Sequence, residues 1–157
     1  MTRLMDLVAG QAPEILMVIG LDDLAALDDR RRFPAHLALG SGLDPTWLDL
    51  FAEATRTVTG DDDPADFIDA RLELDGQGED DAHTIERVDP AWISVVARLA
   101  DRHLDAIAGR WIELIEDELG ALPREEKPWI RELTGRIVTF CRAADRAPDV
   151  LFAWSLQ

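Results

Sequence analysis

The residues of this 157-residue chain whose types could do chemistry are three histidines, one cysteine and two acid-rich runs. Histidine supplies a proton shuttle or a metal-binding nitrogen near neutral pH. Here His36, His83 and His103 lie in three separate stretches with no HxxxH or HExxH spacing, so no zinc site is written locally. Each reads as an ordinary surface or partly buried histidine. Cys141 has no nucleophile motif around it and follows Phe140 on an apolar helical face, where a thiol packs rather than reacts. The acidic runs invite calcium, but neither DDDPADFIDARLE nor DGQGEDDAHTIE sets oxygen ligands, glycine and the closing glutamate at EF-hand positions. Gly40-Ser41-Gly42 and Gly76-Gln77-Gly78 lack the strand-turn-helix frame of a phosphate loop and read as turns. No catalytic residue, cofactor or metal ligand is assigned.

Charge is the most uneven property of the chain. The formal net charge is −16; up to and including Asp89 there are 21 acidic and 7 basic residues, and after it 11 acidic and 9 basic. From Asp61 to Asp89 alone, 12 carboxylates face two arginines, Arg71 and Arg87. Such a field repels phosphates and anionic lipid, so nucleic acid and membrane are not expected partners. It suits a basic protein partner, with Asp61, Asp62, Asp63, Glu79, Asp80 and Asp81 as the candidate contact surface. The bland alternative for the same run is a solvated loop that keeps the protein soluble.

These residues must be carried by regular elements, and the longest is DPAWISVVARLADRHLDAIAGRWIELIEDELG. Ile93, Val96, Ala100, Leu104, Ile107, Trp111, Ile115 and Leu119 recur at helical spacing and predict a buried stripe. Asp89 and Pro90 open this stretch, Gly120 closes it, and a cap near Asp101 leaves one bent helix or two equally open. A helix after Asp44-Pro45 turns Trp47, Leu48, Phe51 and Ala54 inward, and another over Arg124–Ala147 turns in Ile130, Leu133, Ile137, Phe140, Cys141 and Ala144. Gly135 inside that last helix suggests a close helix crossing. Leu21 to Arg32 reads as a short surface helix, and Met1 to Gly20 stays open, leaning helix. HTIERV and the tail VLFAWSLQ read as neighbouring strands, and DFIDARLELDG as a helix passing into a strand of an acidic-looped hairpin. Four of the five tryptophans belong to core faces, leaving Trp129 for the surface or a subunit contact.

The order RVDPAWISVVARLADRHLDAIAGRW, a helix, then VLFAWSL resembles a group of small uncharacterised actinobacterial-type proteins that end in an aromatic W-S-L strand. The matching pieces are Asp89–Trp92, Leu99–Trp111 and Leu151–Leu156. More distantly, WLDLFAEATRTVTG is similar to the helix ending L-T-G in the YfbM-like family of unknown function, although Thr57-Val58 stands where leucine is expected. The resemblance implies a helix-rich α+β fold whose small sheet includes the C-terminal strand, and brings no catalytic residue.

The expectation is therefore an α+β single domain over residues 1–157, mostly helical, with a small antiparallel sheet formed by the hairpin region and the C-terminal strand. A lone cysteine and no signal-like or membrane-spanning run point to the cytoplasm. The expected role is protein–protein binding, immunity-type or regulatory, by a monomer or weak dimer. The alternative is a small-molecule binder or enzyme with a site assembled from residues distant in sequence. A cleft where Asp, Arg and His converge favours the alternative; a closed core with a charged outer face favours the first.

Overall fold

The computed structural model describes residues 2–21, 23–39, 46–60, 67–72 and 84–156. Its centre is a five-stranded antiparallel sheet ordered β2-β1-β5-β4-β3, formed by β1 (Thr2–Gly10), β2 (Ala35–Ala38), β3 (Ile68–Leu72), β4 (Thr84–Val88) and β5 (Asp149–Leu156). Around it run α1 (Ala12–Gly20), α2 (Thr46–Thr59), α3 (Pro90–Ala97), α4 (Leu104–Leu119) and α5 (Lys127–Ala144). The helix-rich α+β expectation holds, and β5 does lie beside β4 as the tail pattern predicts.

The reading of the first residues as helix does not hold. Thr2–Gly10 is a strand between β2 and β5, with Met5, Leu7 and Ala9 on one face and Asp6 and Val8 on the other. Its apolar run looks unpatterned because layers cover both faces of the sheet, so both alternating sets are drawn from apolar types. The same holds at β4, where Ile85 and Val88 point to opposite faces and both are fully buried.

On one face α2, α3, α4 and α5 bury a core with Trp111 and Phe51 at its middle, ring centroids 5.0 Å apart edge to face. Trp111 Nε1 donates to the Trp47 carbonyl at 2.7 Å, which satisfies the one polar atom this ring carries inside. Trp129 lies half-buried, its centroid 6.5 Å from Trp47, so the ring packs on the core with part of it at the surface. The other face is covered by α1 and a short 3₁₀ turn, Leu24–Asp28, around Val8, Ile15, Leu27, Phe33, Leu151 and Ala153. The expected surface helix between Leu21 and Arg32 is thus this single turn, with Leu27 buried and Leu24 half-buried.

The long pattern from Asp89 resolves into two helices, α3 and α4. Asp89 Oδ1 accepts from Ala91 N–H at 2.8 Å, the expected cap, and Gly120 closes α4 at a positive φ of 105°. Between the two helices the stripe breaks, with Ala100 exposed and Leu104 half-buried, and at the end of α4 Leu119 is exposed, while Ile93, Val96, Ile107, Trp111 and Ile115 are buried. Arg142, in the last turn of α5, reaches across to the neighbouring segment. It donates to the Leu99 carbonyl at 2.6 Å and pairs with Asp101 at 3.0 Å, holding the α3–α4 break.

Candidate functional site

Sheet register brings together polar residues that are far apart in the sequence. Asp6 on β1 and His36 on β2 share the face covered by α1, diagonally across the pair, since Asp6 is opposite Ala38 and His36 opposite Val8. The 3₁₀ turn ends at Asp28, which reaches the same ring. His36 Nε2 lies 2.7 Å from Asp6 Oδ1 and His36 Nδ1 lies 2.8 Å from Asp28 Oδ1. Ionised carboxylates only accept, so between two of them both ring nitrogens donate, and the geometry suits a protonated His36 ring held between two anions. Its side chain is 9% exposed, and burial alone would push its pKa down. The hydrogen bonds to Asp6 and Asp28 outweigh that burial and hold it above its ordinary value. In turn the His36 hydrogen bond, with its charge, holds the exposed Asp28 below the ordinary carboxylate value. Arg30 completes the group, its Nη1 donating to the Leu27 carbonyl at 3.0 Å and its Nη2 lying 3.7 Å from Asp28.

This arrangement positions rather than reacts. With both nitrogens occupied, the ring has no lone pair for a substrate proton and none for a metal. The two carboxylates sit on opposite sides of the ring and do not converge on a common point. Among the described residues no group of three or more His, Cys, Asp or Glu could hold a metal ion. Cys141 is fully buried, and burial, aided by Asp145, pushes its thiol far above the ordinary range, away from thiolate chemistry.

Beside this cluster the structure opens. A groove of about 740 Å³ runs between the edge strand β2 and α5. Pro34, Ala35, His36 and Leu37 form one wall, and Glu132, Gly135, Arg136, Thr139, Arg142 and Ala143 the other. The second set recurs at three- and four-residue intervals, which makes it a single stripe of helix. Leu104 and Phe140 add apolar surface, and Asp101 and Arg30 add charge. Gly135 belongs to this wall and not to a close helix crossing, because a Cβ built on it would meet nothing within 4 Å. A mid-helix glycine costs about 1 kcal/mol relative to alanine, and here the open side is the groove.

The six carboxylates expected to face a partner, Asp61, Asp62, Asp63, Glu79, Asp80 and Asp81, lie outside the described residues, as do His83 and both Gly-x-Gly turns. His103 lies in the α3–α4 break, half-buried, with Arg102 Nε 3.3 Å from its Nε2, and joins neither cluster nor groove. Sequence reasoning treated His36 as ordinary and did not single out Asp6, Asp28 or Arg30. One signal was available: Asp6 sits inside LMDLV, and a carboxylate within an otherwise apolar strand requires a buried partner. In comparisons with family models, curated proteins and solved structures, none matches this chain.

Proposed function

We propose that this protein acts by binding another protein, in the cytoplasm, through the groove between β2 and α5. The observation that supports this reading is the groove itself, whose walls mix apolar, Arg and acidic side chains and include a glycine with no packing reason. Asp, Arg and His do converge beside it, which by residue type alone would favour catalysis. The doubly hydrogen-bonded state of His36 argues for binding instead, since a general base must keep one nitrogen free. The acid-rich run containing Asp61, Asp62, Asp63, Glu79, Asp80 and Asp81 would add long-range attraction to a basic face of the same partner. No helix among the described residues is long and apolar enough to cross a membrane. The groove volume also falls in the range of small-molecule sites, which supports a second reading as a small-ligand binder.

Affinity capture from the host with the parent chain and with Gly135→Trp tests the reading, because the indole would fill the groove without touching the core. A partner held by the parent and lost by the variant, at unchanged melting temperature, supports it. A partner held equally by both sinks the assignment to this groove, and displacement of a co-purifying small molecule would favour the second reading.

A further inference from the structure

The groove follows a sheet edge whose hydrogen-bonding groups have a defined direction. Leu39 N–H donates to the Met5 carbonyl at 2.8 Å, and the register pairs Leu37 with Leu7 and Ala35 with Ala9. In an antiparallel ladder the bonded pairs alternate with non-bonded ones, so the odd residues of β2 face β1. His36 and Ala38 therefore turn their N–H and C=O groups outward, and no backbone bond from another described residue reaches them. Such an edge is a template for one more strand unless something covers it. Here the opposite wall is the α5 stripe from Glu132 to Ala143, twelve residues that span about 16 Å at the helical rise. The four residues of β2 span about 10 Å. A slot with walls this short admits an extended chain better than a folded surface.

Resting on the binding role given above, we propose that the groove takes an extended segment of a partner protein as a sixth strand, added to β2 at His36 and Ala38. The segment alternates: one set of side chains lies against Leu37, Leu104 and the α5 stripe, the other beside the Asp6/His36/Asp28 cluster. Its charge follows from the lining, where Arg136 pairs with Glu132 at 2.9 Å, Arg142 with Asp101 at 3.0 Å, and Arg30 lies 3.7 Å from Asp28, so that each cation of the slot is balanced in a chain of net −16. A neutral strand fits such a lining, and a strongly charged one of either sign does not. The cluster beneath prepares this edge, because the His36 side chain ties β2 to β1 and to Asp28 while its backbone faces outward.

The test uses random peptides displayed on phage, selected against the intact protein, with binders then synthesised and studied by amide hydrogen exchange. Strand addition requires exchange at the His36 and Ala38 amides to slow by about tenfold or more at saturation, with little change at Leu37, which already faces β1. Ala38→Pro, which removes an outward N–H without touching the ladder, should weaken the peptide by about tenfold and leave the melting temperature close to the parent's. Peptides that are blocked by Gly135→Trp yet leave His36 and Ala38 exchange unchanged would overturn strand addition and keep the groove as a binding site. Selection that yields no groove binder would overturn both. A dimer of the chain in sedimentation that Ala38→Pro abolishes would overturn it in favour of a second copy at this edge.

Discussion

One face of the sheet is packed by four helices around Trp47, Phe51, Trp92 and Trp111, whereas the other is covered by α1 and one 3₁₀ turn and carries the Asp6, His36 and Asp28 chain. The first face is held by area: large rings meet edge to face at 4.8 to 6.5 Å, with Trp111 Nε1 paired and Trp92 Nε1 buried without a partner among the described residues. The second has a smaller apolar cluster and adds charged hydrogen bonds, among them Arg32 Nε to Glu14 Oε1 at 2.6 Å, which ties the segment after the turn to α1. Burial of apolar area does not depend on pH, and the hydrogen bonds of a titrating ring do. The helical face should therefore set the magnitude of stability, and the thinner face its pH dependence.

The largest break comes from the strand both faces share. Deleting the tail after Asp149 removes β5 from between β1 and β4 and strips Phe152 from one core and Leu151 and Ala153 from the other. The product should show no cooperative thermal transition, and a sharp transition near the parent's would mean that the faces do not depend on their common strand. Next, Trp111→Ala on the helical face should cost about 3 to 5 kcal/mol in urea titration. Leu27→Ala, across the sheet, should cost about 2 to 3 kcal/mol. Because β-strands separate the two sites, the double variant should lose the sum to within about 0.5 kcal/mol, and a larger deviation would show that the faces are coupled.

The pH dependence sharpens the contrast further. His36 is held above its ordinary value of 6.5, so its contribution is complete below that pH and is lost as pH rises through the raised value. Asp28 is held below its ordinary 3.8, so its contribution is present above that pH and is lost as pH falls through the lowered value. The difference in stability between the parent and His36→Gln should accordingly be about 2 kcal/mol near pH ~6 and shrink toward pH ~9. A difference that stays flat across that interval would mean that the ring is not charged. The smallest effect is a gain: Gly135→Ala should add about 0.5 to 1 kcal/mol, since the methyl enters open groove and the helix loses a flexible residue. A loss there would show that the groove wall closes on Gly135 after all.

By itself the sequence determined what local periodicity can carry. The stripes of α2 and α5, the cap at Asp89 and the strands β4 and β5 are each written within one stretch of chain, because a helix or strand face repeats every few residues. Tertiary structure decided the rest. Whether Thr2–Gly10 is strand or helix depends on partners 26 to 32 and 139 to 154 residues away, in Ala35–Ala38 and Asp149–Leu156. Its own pattern is silent, since burial on both faces erases alternation. The candidate site belongs wholly to this second class. Asp6, Asp28 and His36 meet only once β1 and β2 pair in register and the 3₁₀ turn folds over them, and the groove exists only where α5 lies beside the edge of β2. Contacts between residues distant along the chain leave no spacing to read, because what joins them is the pairing of strands and the packing of layers.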